Sequence, residues 1–355
     1  MLKKTVLAVL AIIIILVIFI ALSKSKVDPV AYDAPKKPSI TGVLVPNNLL
    51  QKAELLGKGK LNGPEEVAVD DQGSVYGGSW EGKILRILPD GKIETFVETG
   101  GRPLGMKFDR NGNLIVCDSL KGLLSIDKNG KIITLATSAN GISFKCTDAL
   151  DIARNGIIYF TDASDKFALD DFVLDSIEAR PHGRFMSYNP VTRQVKVLMK
   201  GLCFANGVAL SQNEDFVLIN ETNRYRIWRY WLAEPKAGTS DIFIDNLPGF
   251  PDNISANRKG RFWLALYTVR SDILDMIQPY PSIKSILDKL PRFMWAKTKR
   301  YGFVASLDEK GKITSTMQDP TGEHLYDVTS AQEYYGYLYL GSLHADRIGK
   351  YKIEK

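Results

Sequence analysis

The sequence predicts an all-β fold, a six-bladed β-propeller, preceded by an N-terminal transmembrane helix. Three observations carry this expectation. A unit of turn, short alternating strand, polar break and second strand recurs six times. Helical periodicity is confined to the N-terminus and one internal insert. The first residues hold a long, uncharged apolar run.

The chain opens MLKK and continues TVLAVLAIIIILVIFIALS, with no charge from Thr5 to Ser23. A run of about 19 apolar residues spans a bilayer as a helix. The core of a cleaved signal peptide is shorter, roughly 7–15 residues. Ala21 and Ser23 imitate a cleavage site, so cleavage stays open beside the expected uncleaved anchor over residues 1–23. Lys3 and Lys4 predict a single-pass protein with a cytoplasmic N-terminus and a periplasmic or extracytoplasmic propeller. Lys24 and Lys26 weaken that orientation. Residues 24–40 are polar and proline-dotted and read as a linker.

The repeat fills residues 41–355. Its strongest copies are Gly73–Ile93, Gly112–Ile132, Gly156–Ser164 with GRFMSYNP, Asp215–Leu232, Gly260–Tyr267 with GFVASLDEKGKI, and Gly336–Ile353. Paired strands at a spacing of roughly 40–50 residues are the signature of propeller blades. The last copy ends near the C-terminus. The strand completing its sheet is expected from Ala53 to Leu56, which closes the ring and hides its edges. Inserts interrupt the pattern at 165–181 and 268–300. The second carries helical spacing (Ile283, Ile286, Leu290) and basic residues beside Phe293, Met294 and Trp295. It reads as a lid over the propeller mouth or as a segment on the membrane surface.

Composition excludes other classes. Hydrophobic residues make up 45% and charged residues 24%, an ordinary globular balance. The net charge of +6 comes without a basic stripe or zinc-finger spacing, so no nucleic-acid partner is expected. The three cysteines, Cys117, Cys146 and Cys203, form no CxxC and read as buried thiols, with a Cys146–Cys203 bridge left open.

In a propeller, the starts of the innermost strands meet around the central axis. Four such places carry oxygen ligands where alternation would put apolar side chains: Glu65 in GPEEVAVD, Thr147 and Asp148 in KCTDALDIA, Asn206 in CFANGVAL, and Asp252 with Asn253 in GFPDNIS. Carboxylates, amides and a hydroxyl without His or Cys suit a hard cation, and Ca²⁺ takes roughly 6–8 such oxygens. The alternative is that these groups only satisfy turns.

GPE before an alternating strand, IYFTDAS, FANGVAL, ETNRYRIWRYWL and PDNI resemble the strictosidine-synthase-like and gluconolactonase propellers, and among them the adipocyte plasma-membrane-associated group. The likeness covers about residues 46–355. It implies a Ca²⁺ site whose ligands map to Glu65, Asn206 and Asp252, with Asn253 following. The Asn of the family's N-D pair is replaced by Thr147, and Asp148 keeps the second place. Leu104 stands where paraoxonases carry a proposed base. Tyr326 replaces the catalytic Glu of strictosidine synthase, which argues against a Pictet–Spengler condensation.

The resemblance implies a membrane-anchored, calcium-dependent hydrolase of lactones or aryl esters, with a small apolar ester or lactone as substrate. Asp252 is the expected catalytic carboxylate and His324 the second catalytic candidate. His182 reads as a turn residue, and His344 as facing the channel. Glu221 and Arg226 read as an internal charge pair. The alternative is a non-catalytic binding module at the membrane with a structural metal ion.

Overall fold

The computed structural model describes residues 3–6, 10, 15, 19, 22–295 and 297–353. Most of the expected anchor, residues 1–23, lies outside the described residues. Among those described, no helix is long and apolar enough to cross a membrane.

Among the described residues, six four-stranded antiparallel sheets form the blades. Blade 1 runs through Val67–Val69, Val75–Gly78, Lys83–Ile87 and Ile93–Glu98. Blade 2 uses Pro103–Phe108, Leu114–Asp118, Gly122–Ile126 and Ile132–Ala136. Blade 3 uses Thr147–Ile152, Ile158–Asp162, Gly183–Asn189 and Gln194–Leu202. Blade 4 comprises Ala205–Leu210, Phe216–Glu221, Arg226–Trp231 and Ser240–Ile244. Blade 5 comprises Gly249–Ala256, Arg261–Val269, Gly302–Asp308 and Ile313–Asp319. Blade 6 takes Val328–Tyr334, Tyr337–Ser342 and Ile348–Lys352. Its fourth strand is Glu54–Leu56, from the other end of the chain, with Glu54 opposite Lys350 and Leu56 opposite Ile348. Each innermost strand packs on those of the blades before and after it, and the last packs on the first. The ring therefore closes as the repeat implied.

The recurring D-x-x-G has a local cause. Asp109 Oδ1 accepts from the backbone N–H groups of Asn111 and Asn113, both at 2.8 Å, while Gly112 takes φ +79°. Asp70 with Gly73 and Asp308 with Gly311 repeat the arrangement. The carboxylate satisfies turn donors and glycine supplies the left-handed residue, so the unit forms a hairpin wherever it occurs. Between the blades lie apolar clusters. Phe216, Phe243 and Phe262 pack between blades 4 and 5, and Phe160, Met186 and Leu123 between blades 2 and 3.

Both inserts cover one face of the ring. The first carries a short helix, α1 (Phe172–Glu178), which the sequence does not announce because seven residues show too little periodicity. The second carries α2 (Asp272–Ile277) and α3 (Pro281–Lys289). The expected linker is not a free spacer. Val27 packs with Phe167, Leu174 and Ile177. The N–H of Val30 donates to Glu178 O, and that of Tyr32 to Gln278 O. The fully buried Lys284 donates to Val30 O at 2.5 Å and Gln278 Oε1 at 2.9 Å. Residues 25–37 thus form a strap across the inserts. Composition suggests a linker because the strap's partners are distant in sequence.

Candidate metal and active site

The innermost strands are irregular where they approach the axis. The strand register shifts between Pro103 and Met106, Thr147 and Leu150, Ala205 and Val208, Pro251 and Ile254, and Val328 and Ser330. A bulge breaks strict alternation and re-aims a side chain. The residues inside these breaks include Leu104, Asp148, Asn206, Asp252 and Thr329, and all five line one cavity of about 120 Å³. Glu65, just before the first strand of blade 1, joins them there. Gly207 permits the close approach, since a Cβ at that position would stand 2.5 Å from Ile254 N.

The cavity has a polar floor and apolar walls. Glu65, Asp148, Asn206 and Asp252 form the floor, while Leu104, Phe204, Phe250 and Tyr267 contribute to the walls. Phe172, Val173 and Ile177 of α1 and Leu274 of α2 cover it. Asn253 donates its side-chain amide to Glu65 Oε1 at 2.6 Å. The Asn206 side chain hydrogen-bonds the Asp252 carboxylate. Asn220 donates to Asp252 O, and Thr222 Oγ1 to Pro251 O at 2.7 Å, so blade 4 fixes the backbone that presents Asp252. Thr329 and Ser330 donate to Glu65 O at 2.6 and 2.9 Å.

The electrostatics are those of acids held out of water. Burial, then Asp252 and Asp148, raises the Glu65 pKa well above the ordinary range. Burial, reinforced by Asp148, does the same to Asp252. Burial pushes Asp148 up to about 8. Arg102 stacks 4.4 Å from the centroid of the Trp80 ring, and burial lowers its pKa to about 10. Glu65 Oε2, Asn206 Oδ1 and Thr147 Oγ1 are buried without a hydrogen-bond partner among the described residues. Unpaired buried oxygens are costly, and a hard cation would satisfy these while reversing the acids' shifts. The oxygen-only donor set fits Ca²⁺. Among the described residues, no three His, Cys, Asp or Glu side chains gather closely enough to form a ready-made metal cage. The amide of Asn206 is therefore part of any such donor set.

The expected residues divide clearly. Glu65, Asn206 and Asp252 line the cavity. Asn253 braces Glu65 from beside it. Thr147, the expected ligand, is fully buried next to the floor, and its neighbour Asp148 lines the cavity, because the register break turns the following residue inward. His324 does not line the cavity. Its Nε2 meets Ala53 O at 2.8 Å, beside the closing strand, so its geometry is that of a fastener. His182 contacts Glu178 at 2.6 Å and Asp165 at 3.4 Å beneath the strap. His344 sits at the rim, with Nδ1 3.1 Å from Asp327 Oδ2 and its ring stacked on Trp80. Glu221 accepts from Arg226 at 2.5 Å, the expected charge pair, and also from Trp228. The three cysteines are free and buried. Sequence reasoning missed Tyr267, Asn220 and Thr222. Only the NETN run, polar in a strand, signals the last two.

Comparison with known proteins identifies the family. Residues 148–235 match the strictosidine synthase family, and residues 42–87 match the family described as strictosidine synthase-like, N-terminal. The adipocyte plasma membrane-associated protein of Rattus norvegicus is 35% identical over 357 residues, covering 94% of each chain. The protein STRICTOSIDINE SYNTHASE-LIKE 6 of Arabidopsis thaliana is 35% identical, covering 89% of this chain and 86% of its own. In fold the chain is similar to a gluconolactonase of Xanthomonas campestris, with TM-score 0.62 and 16% identity over 93% of this chain and 98% of that one. It is also similar to a calcium-binding regucalcin of Agrobacterium tumefaciens, with TM-score 0.57 and 12% identity over 87% and 94%. The chain belongs to the strictosidine-synthase-like family of propellers, with the adipocyte plasma membrane-associated proteins among its members.

Proposed function

We propose that this protein is a membrane-anchored, calcium-dependent hydrolase of lactones or aryl esters. The observation that carries the reading is a set of unpaired, buried oxygens on the floor of a cavity with apolar walls. Glu65, Asn206, Asp252 and Asp148 are the residues that would hold Ca²⁺. When bound, the ion supplies electrophilic polarisation of a carbonyl oxygen. The fold neighbours described as a gluconolactonase and as a calcium-binding regucalcin agree with the reading.

The chain's own residues do the rest. Phe204, Phe250, Tyr267 and the covering residues of α1 and α2 exclude water and receive the apolar part of the ester. Asn220 and Thr222 hold the Asp252 backbone, and Asn206 orients its carboxylate. Ionised Asp252 takes a proton from water as the water oxygen bonds to the carbonyl carbon. The ester C–O bond then breaks, and Asp252 returns the proton to the leaving alkoxide. The uncharged run from Thr5 to Ser23 serves as the anchor, with the N-terminus cytoplasmic and the propeller extracytoplasmic.

Turnover of phenyl acetate and of simple lactones, with and without a chelator, tests the reading. Chelator-sensitive hydrolysis is the expected outcome. Bound calcium without turnover would replace it with the second reading, a binding module with a structural ion. One observation favours that second reading: Leu104 closes a wall position and no histidine lines the cavity.

A further inference from the structure

Helices α2 and α3 carry apolar side chains on their outer as well as their inner faces. Their inner faces are occupied. Leu274 lines the inner cavity, and Leu287 packs toward Val27 and Leu174. A surface helix ordinarily turns a polar face outward. Here Ile273 and Met276, three residues apart on α2, are exposed, as are Ile283 and Ile286, spaced the same way on α3. Tyr280 between the helices is exposed, and Phe293 after them is 84% exposed. Contiguous apolar surface of this kind marks a contact site.

The chain itself indicates what covers it. The uncharged apolar run ends at Leu22. Three residues on, Ser25 Oγ donates to Asp288 Oδ2 at 3.0 Å, and the Lys26 N–H donates to the same oxygen at 2.5 Å. Asp288 belongs to α3. Three residues reach about 10 Å at full extension, so a bilayer holding the apolar run lies beside α3. The charges nearby suit such a surface. Lys297, Lys299 and Arg300 are exposed at the end of the insert, while Asp272 is engaged by Lys37 and Asp288 by the strap. Basic residues flanking an apolar face favour anionic headgroups.

We propose that the outer face of α2–α3, with Tyr280 and Phe293, lies in the headgroup region of the lipid bilayer. The proposal rests on the anchor of the preceding reading and is independent of hydrolysis. It has a geometric consequence. A second cavity of about 600 Å³ lies under α2 and shares Val173, Ile177, Phe250 and Leu274 with the inner one. Exposed Ile40 and Ile273 line it, so it opens toward the headgroups.

The test uses the full chain in phosphatidylcholine vesicles, with and without phosphatidylserine. Nitroxide labels are placed through Met276→Cys, Ile283→Cys and Phe293→Cys. Val191→Cys, at an 88% exposed position in blade 3, serves as the aqueous control. The native cysteines are buried. Collision with oxygen relative to a water-soluble nickel chelate is expected to rise severalfold at the three insert positions over position 191, more so with phosphatidylserine. Insert labels as open to nickel as position 191, in protein that floats with vesicles, would overturn the docking while leaving the anchor intact. Loss of flotation would overturn both. Protection that disappears in nanodiscs holding a single chain would assign the face to a second copy and overturn the proposal.

Discussion

The side-chain amide of Asn253, in blade 5, donates past blade 6 to Glu65 Oε1, at the start of blade 1, at 2.6 Å. The bond links two blades separated by blade 6 and leaves Oε2 of the same carboxylate unpaired. Asn253→Ala removes the side-chain donor to that carboxylate and leaves both oxygens buried. It is expected to lower stability by about 2 kcal/mol in calcium-free buffer, measured by urea denaturation. Calcium is expected to restore part of the loss, because the ion replaces the missing donor.

The floor acids make calcium-free stability depend on pH in a defined direction. Glu65, Asp148 and Asp252 have folded pKa values above the unfolded range, Asp148 reaching about 8. The folded state therefore keeps protons that the unfolded chain has already released. Their contribution is complete below about pH 4 and is lost as pH rises toward 8. Across the window from mildly acidic to pH 8, the melting temperature without calcium is expected to fall from these groups. Calcium needs the deprotonated forms, so its stabilisation grows over the same window. At a calcium concentration of 100 times Kd it amounts to about 2.7 kcal/mol, read by calorimetry at several pH values.

Asp252 carries the proton transfer in the proposed reaction, and Asp252→Asn keeps its volume while removing its basicity. Hydrolysis is expected to fall by at least about 100-fold. Circular dichroism should stay unchanged and calcium affinity should weaken. A variant that keeps its turnover would transfer the proton to another group and return Asp252 to metal binding alone.

His324 offers the contrasting case. Its ring fastens Ala53 O next to the closing strand, away from the cavity. His324→Ala is expected to cost about 1 kcal/mol of stability and to leave kcat/KM for phenyl acetate unchanged. A large fall in kcat with unchanged stability would restore it to the catalytic apparatus.

Lys284 is buried, and burial lowers its pKa to about 8. Lys284→Met keeps the stem but removes the donor to Val30 O. Amide exchange in residues 27–32 is expected to speed up by about tenfold, read by mass spectrometry, with the blades unaffected.

The ring was legible because its cause is local. Each Asp-to-glycine turn is built from neighbours in sequence, so D-x-x-G predicts a hairpin wherever it stands. The polar lining of the cavity was legible for a related reason. Asn206 and Asp252 interrupt the alternation that a plain inner strand would keep, and register breaks turn them inward, while Glu65 reaches the cavity from just before its strand. The same breaks bear on Thr147 and Asp148: both are buried beside the axis, and sequence does not say which of two adjacent residues a bulge turns into the cavity lining. Contacts between distant segments were not legible. The strap's bonds to Asp288 and Lys284, the His324 bond to Ala53, and the support of Asp252 by Asn220 and Thr222 depend on the finished fold. Helix α1 was too short to show a period.

Pairing Glu54–Leu56 with Ile348–Lys350 also orders events during synthesis. Blades 1 to 5 contain all their own strands, so each completes its sheet as it leaves the ribosome. Blade 6 borrows a strand made almost three hundred residues earlier. Until Ile348 to Lys352 emerge, that strand waits unpaired and the growing arc carries an open edge at each end. A chain stopped before Ile348 would keep both edges exposed, which makes the codons for Ile348 to Lys352 the ones that turn an adhesive intermediate into a closed, non-sticking particle.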